Sequence, residues 1–308
     1  MERLIVRQAT RIQTMQRRVL ITGAAGKTAS AVVEALVQRG FFVRALVRKT
    51  DDRSQRLAKL GAEVVTGDML SLKDMTVAAQ SMDSSYFCYP TSDRILEASA
   101  IFAEAARKNG MGFICNMSQI IARPDAPSPT SRLHWLAERL FDTSPLNVTH
   151  LKPTFFADHF VLNVRHTIVN DNKIIRPYGS AYHSPITSTD IGRVAAAVLA
   201  DPTAHIGKSY VLTGLDRLSF NEIAGIFSEM LGRSITYVDV PADEFKADME
   251  RRQFAPSLLE HHMQSSKDYR EGHFDATNTL VSDITGRDAT RFRDYIAANI
   301  SAFQSGST

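Results

Sequence analysis

One stretch constrains this chain more than any other, Val19-Leu-Ile-Thr-Gly-Ala-Ala-Gly-Lys-Thr-Ala-Ser30. A short apolar run breaks at glycine and passes at once into a helical pattern, which reads as strand, tight turn and helix. Gly23, Gly26 and Ala29 stand at the spacing of the dinucleotide-binding fingerprint, with alanine at its third position. The turn needs a residue without a side chain, the backbone must come close to a pyrophosphate, and a small residue must let helix pack on strand. Ala25, Lys27 and Thr28 belong to the same candidate cofactor-binding turn. Gly26-Lys27-Thr28 also looks like the end of a P-loop, but that motif needs a glycine where Ile21 stands. A glycine turn that holds no ligand is the remaining alternative.

From Arg17 onward strand-like and helix-like blocks alternate, which argues for parallel strands joined by crossover helices. Strands are expected near 18–22, 42–47, 62–66, 84–89 and 112–117, and helices near 26–39, 52–60, 71–80 and 93–109. Gly40, Gly61 and Gly110 each follow a helix, where a left-handed cap is wanted. The expected fold is α/β, a Rossmann-type doubly wound parallel sheet with a smaller, mostly helical substrate domain at the C-terminal end. Residues 17–154 with 187–214 form the expected dinucleotide-binding domain, and 155–186 with 215–308 the substrate side. Residues 1–16, with Arg3, Arg7 and Arg11 against Glu2, read as an N-terminal extension.

Composition narrows the function classes. The chain has 308 residues, 44% apolar and 22% charged, with a net charge of +3. No cluster of basic residues interleaved with aromatics points to nucleic acid. No apolar run reaches the length of a membrane span, so a soluble cytoplasmic protein without membrane partners is expected. Cys88 and Cys115 both lie in apolar, strand-like runs and read as reduced core thiols. His261-His262, and His159 with His166, lack metal-ligand spacing and supporting carboxylates, so they read as surface or packing residues and no metal is expected.

Candidate ligand residues fall at the ends of strands. Arg48 and Lys49 end the second strand about 20 residues past the fingerprint, where an acid would favour NAD(H). A guanidinium there suits the 2′-phosphate of NADP(H). Asp68, beside Met69, fits either an adenine-facing role or a helix cap, and Tyr89-Pro90-Thr91 forms a turn facing the middle of the cofactor. The fifth strand runs into Ser118 and Gln119, and the helix 133–141 carries His134, Trp135 and Glu138. A sixth strand, 146–152, is followed by Phe155 and Phe156, which could line an apolar pocket or simply pack. Asp190 reads as a local helix cap, and Ser219 with Glu222 as a capping box opening a helix to Leu231.

In their order and spacing, Thr22-Gly-Ala-Ala-Gly-Lys-Thr-Ala29, Val47-Arg48, Gly67-Asp68, His134-Trp-Leu-Ala-Glu138, Leu151-Lys-Pro-Thr-Phe-Phe156 and Thr189-Asp-Ile191 resemble the NmrA-like group of atypical short-chain dehydrogenases/reductases. The resemblance covers nearly the whole chain after Gln16. It implies NADP(H) binding by Gly23 to Thr28, Arg48, Lys49, Asp68, Met69, Tyr89, Pro90, Thr91, Ser118, His134 and Phe155. It also implies a C-terminal domain closing over the nicotinamide, and hydride transfer to a quinone-like or conjugated small acceptor held by Phe155, Phe156, Tyr89 and Gln119. Some members of the group instead sense the dinucleotide and control a regulatory protein partner. A biosynthetic imine or enone reductase shares the same hydride step, and a homodimer stays open.

The active-site helix of the wider superfamily has a tyrosine four residues before a lysine, with an Ala-Glu pair following. Here Ala137-Glu138 keeps the pair, His134 falls at the lysine position, Thr130 at the tyrosine position, and Ser118 matches the superfamily's serine. No Tyr-x-x-x-Lys occurs in the chain. A threonine cannot act as the phenol does near neutral pH, which disfavours simple alcohol oxidation. Ser118 and His134 are therefore the catalytic candidates. His134 reads as a proton donor titrating near neutrality, as a ribose ligand, or as a packed helix residue bonded to a loop carbonyl.

Overall fold

The computed structural model describes residues 17–304; the expected extension, 1–16, lies outside them. The first half alternates β1 (Arg18–Ile21), α1 (Lys27–Gln38), β2 (Phe42–Val47), α2 (Asp52–Leu60), β3 (Glu63–Thr66), α3 (Leu72–Ala79), β4 (Ser84–Phe87), α4 (Ile95–Lys108), β5 (Phe113–Met117), α5 (Pro129–Thr143) and β6 (Asn147–Pro153). The second half contains α6 (Arg165–Asp171), β7 (Lys173–Arg176), β8 (Tyr182–His183), α7 (Ser188–Ala200), β9 (Ser209–Leu212), β10 (Leu218–Ser219), α8 (Phe220–Leu231) and β11 (Thr236–Asp239). Four helices end it: α9 (Ala242–Arg251), α10 (Pro256–Arg270), α11 (Leu280–Thr285) and α12 (Phe292–Ala298).

Seven parallel strands form the main sheet in the order β3-β2-β1-β4-β5-β6-β9. The chain starts in the middle, winds outward to β3, and returns past β1 to β4. The crevice at the carboxyl ends of β1 and β4 is thus the switch point at which ligands bind in such sheets. Helices cover both faces, so β4 and β5 are buried at every position rather than at alternate ones, Ser85 and Asn116 as well as Tyr86 and Ile114.

Local chemistry sets most element ends. Asp51 caps α2 with a capping box, and Ser219 with Glu222 does the same for α8. Gly40, Gly61 and Gly110 all adopt positive φ after their helices, as expected. The helix expected over 133–141 begins four residues earlier: Ser128 accepts from the Ser131 N–H, and Pro129 takes the first helical position, where its missing N–H costs nothing. Gly192 lets α7 lie against α1, because a Cβ there would come within 2.5 Å of Ala31 Cβ.

A second apolar core joins 155–178, α8 and α12, with Phe155, Phe160, Phe220, Phe227 and Phe292 among its aromatics. A small cluster around Val240, Phe245, Met249 and Leu259 holds α9 to α10. One segment departs from the expected partition. Val281 of α11 and Ala289 pack into the core of the main sheet beside α7, and the tie is polar. Asp190 is fully buried and accepts from the Thr290 N–H (2.8 Å) and hydroxyl (3.2 Å), with Arg193 as its ion partner. Asp190 is therefore not the cap of α7; Thr187 is, accepting from the Asp190 N–H at 3.0 Å.

Candidate active site

The turn after β1 is shaped by a close approach. Gly23 sits at φ 58, and a Cβ there would lie 2.9 Å from the backbone oxygen of Cys88, which follows β4. Downstream, Gly26 is the N-cap of α1 and supplies no side-chain acceptor, and no acid occupies the first turn. Gly26 N–H donates to Gly23 O and Ser30 N–H to Gly26 O, so the N–H groups of Lys27, Thr28 and Ala29 have no acceptor among the described residues. Unpaired N–H groups at an uncapped helix N-terminus suit an anion. Ala25 packs against the core beside it, and Lys27 is exposed.

Arg48 and Lys49 stand exposed at the end of β2. Asp68 does not cap α3; its carboxylate accepts from the Leu70 N–H at 2.9 Å in a local turn, and Ser71 caps the helix. Met69, expected at the cofactor, is 9% exposed and belongs to the core beneath α3 and α4. A methionine beside a ligand loop reads alike in both roles, and here its apolar side chain went to packing.

The loops after β4, β5 and β6 meet the α1 turn around a cavity of about 290 Å³. Thr28, Tyr89, Pro90, Thr91, Ser118, Gln119, His134, Phe155 and Phe156 all line it. Cys88 lines it too, so it is less enclosed than expected, whereas Cys115 is fully buried. Burial pushes the Cys88 thiol up to about 11, which keeps it protonated and a poor nucleophile.

Beneath this wall lies a charge pair that the sequence did not reveal. Ser118 Oγ donates to Glu138 Oε1 at 2.5 Å, and Lys152 Nζ reaches both Glu138 oxygens at 3.1 and 3.2 Å and the Ala122 carbonyl at 3.1 Å. Glu138 is 2% exposed, and Arg139, which the sequence placed as its neighbour, is 3.7 Å away. An ionised carboxylate only accepts, so the Ser118 proton is engaged there and its oxygen is left as an acceptor on the cavity side.

Of the three readings of His134, the structure bears on the one that needs it to titrate near neutrality. It is 6% exposed, its Nε2 has no hydrogen-bond partner among the described residues, and burial, then His261 and Lys152, push its pKa down to about 3. At neutral pH it is a neutral imidazole that can donate or accept a hydrogen bond, not an imidazolium.

Three of the four histidines read as surface or packing residues in the sequence, His159, His261 and His262, line this cavity, and His166 does not. His261 and His262 of α10 line the cavity with Ser265 and Tyr269, and His159 lies opposite, stacked on Phe156. His261, Ser265 and Tyr269 are spaced by four, one face of a helix; that periodicity was the available signal. Tyr269 is sandwiched between Tyr178 and Phe274 at 3.9 Å from each. Among the described residues one trio, Asp268, Glu271 and His273, brings possible metal-ligand atoms within 4.8 Å, but Asp268 is already paired with Arg123 at 2.5 Å.

No helix among the described residues is long and apolar enough to cross a membrane. Among known proteins, the NAD(P)H azoreductase of Xenophilus azovorans is 26% identical over 291 residues, 92% of this chain and 99% of that protein. The fold matches the NADPH-dependent quinone oxidoreductase of Escherichia coli, crystallised with NADPH, at a TM-score of 0.82, with 20% identity over 92% of this chain and 99% of that one. It matches NmrA, a negative transcriptional regulator crystallised with NADP, at 0.71, with 15% identity over 91% and 89%. The sequence profile of the NmrA-like family covers residues 15–295, so the chain belongs to the NmrA-like family.

Proposed function

We propose that this chain is an NADPH-dependent oxidoreductase that reduces a quinone-like or otherwise conjugated small organic acceptor. The observation that carries the reading is that the turn leading into the uncapped N-terminus of α1 and an aromatic cavity meet at the switch point of the sheet. The residues present fit the dinucleotide. Three unused N–H groups suit a pyrophosphate, Gly23 leaves the backbone bare where a Cβ would collide, and Arg48 with Lys49 suits a 2′-phosphate. When bound, the reduced nicotinamide supplies a hydride.

The protein's own groups would do the rest. Phe155, Phe156 and Tyr89 hold a flat acceptor and exclude water. Neutral His134 offers a hydrogen bond to negative charge developing on the acceptor. Glu138, itself held by Lys152, fixes the Ser118 hydroxyl and so its oxygen on the cavity wall. With no Tyr-x-x-x-Lys pair, no tyrosine is followed four residues on by the lysine that would activate it as an acid for a simple ketone. A conjugated acceptor, whose reduced form is a stabilised anion, can take its proton from water. The activities of the azoreductase and quinone oxidoreductase relatives point the same way.

Dinucleotide sensing without turnover is the second reading, favoured by the missing tyrosine and the likeness to NmrA. NADPH absorbance followed across a panel of quinones and azo dyes separates the two. Steady consumption with one acceptor, lost in His134→Ala while NADPH still binds, supports the reductase. Tight NADPH binding with no consumption across the panel overturns it.

A further inference from the structure

Next to the cavity, across residues that line both, lies a smaller chamber of about 10 Å³, room for roughly one water-sized group. The two spaces share Phe155, His159, Tyr178 and His262. Arg176, the last residue of β7, lines the chamber at 6% exposure. Its guanidinium lies 5.1 Å over the Phe245 ring, and Nη1 donates to the Ile175 carbonyl at 2.8 Å. Nε and Nη2 have no partner, and no carboxylate forms an ion pair with Arg176, among the described residues. The acid of α9 whose charge reaches it, Asp248, is already engaged by Arg251 at 3.1 Å and Arg252 at 3.7 Å. Arg252 lines the same chamber.

A buried guanidinium is ordinarily paired, because taking it out of water is expensive. Its field is felt locally: His159 is held neutral, down to about 4, by burial first and by Arg176 second. A planar fork of donors left open at the end of an aromatic pocket matches an oxyanion on a flat molecule.

We infer that the acceptor carries a carboxylate or sulfonate, one oxygen of which enters the smaller chamber and pairs with Arg176 while the conjugated body lies against Phe155 and Tyr178. This rests on the reductase reading for the word acceptor, but the anion site can be tested without turnover. Calorimetric titration of the full chain, saturated with NADP+, with naphthoate and with naphthalene methanol compares an anion with a neutral molecule of similar shape. Naphthoate should bind more tightly. Arg176→Met should weaken it about tenfold to hundredfold, the range for a charge-assisted hydrogen bond, and leave the alcohol within about twofold. Arg176→Lys should retain part of the preference. Circular dichroism checks that each variant folds; if Arg176→Met does not, Arg176→Lys and the two-ligand comparison on the unaltered chain decide. Equal affinity for acid and alcohol, or naphthoate binding indifferent to Arg176, overturns the inference. NADPH consumption with a naphthoquinone sulfonate and with naphthoquinone runs in parallel. Failure with both excludes only these quinones and leaves the reductase reading to the wider acceptor panel, while naphthoate binding still judges the anion site.

Discussion

Replacing Lys152 by methionine keeps the unbranched apolar stem, one atom shorter, and removes the charge that holds Glu138. The carboxylate is then left 2% exposed, with the Ser118 hydroxyl as its close donor and Arg139 at 3.7 Å. Removing one partner of a buried ion pair costs about 3–5 kcal/mol. The Lys152 side chain is 15% exposed and Arg139 gives partial compensation, so the low end applies, about 3 kcal/mol. In a chain of this length each kcal/mol moves the melting midpoint by roughly 2 °C, which gives a fall of about 6 °C. Glu138→Gln should cost less, about 1 kcal/mol, because the ammonium keeps the Ala122 carbonyl and its contact with solvent. The double variant should then cost little more than Glu138→Gln alone, a coupling of about 2–3 kcal/mol. Urea denaturation of the four proteins followed by circular dichroism measures it. If the single losses simply add, Lys152 and Glu138 do not act as a pair and the account of how Ser118 is held fails with them.

Gly23→Ala must hold an alanine at φ 58 with its Cβ 2.9 Å from the Cys88 oxygen; the left-handed conformation alone costs about 1–2 kcal/mol. NADPH affinity measured by titration should fall at least about tenfold, and unchanged affinity would refute the cradle. Arg48→Ala should weaken NADPH by roughly tenfold or more and NADH little, one charge-assisted contact to the 2′-phosphate being lost; equal weakening of both would exclude that role. Burial holds His134 and His183 down to about 3 and His159 and His261 to about 4. Between about pH 6.5 and 4 the unfolded chain binds protons that the folded chain refuses, so stability falls as pH falls through that window. Denaturation midpoints taken across that window should decline steadily and should decline less in His183→Leu; a flat profile would contradict the buried, neutral state of these imidazoles.

The local readings survive where chemistry acts over a few residues. The Gly23 turn, the Ser219–Glu222 capping box and the positive φ of Gly61 follow from sterics and hydrogen bonding within one turn of chain. Asp190 does not cap α7 and Asp68 does not cap α3, since Thr187 and Ser71 are better placed to do it; an acid near a helix start looks like a cap wherever it stands. Asp190 was claimed instead by Thr290, a hundred residues away.

His134 illustrates the same limit in electrostatics. Its place on α5 is legible from Ala137-Glu138, but its charge state depends on how deeply α5 is covered and on Lys152 and His261 arriving from β6 and α10. The paired phenylalanines after β6 were visible, whereas α10 carried its cavity face as an ordinary amphipathic pattern of His261, Ser265 and Tyr269.

What the sequence by itself determined is the alternation of strands and helices, the glycine cradle and the missing Tyr-x-x-x-Lys, since turn sterics, apolar periodicity and residue identity are local properties. Only the tertiary structure decided that Lys152 neutralises Glu138, that α10 roofs the cavity and that Arg176 is buried with no carboxylate paired to it among the described residues. Burial and Coulomb interactions fall off with distance in space and take no account of separation along the chain, so these assignments arise only once β6, α5, β7 and α10 have packed together.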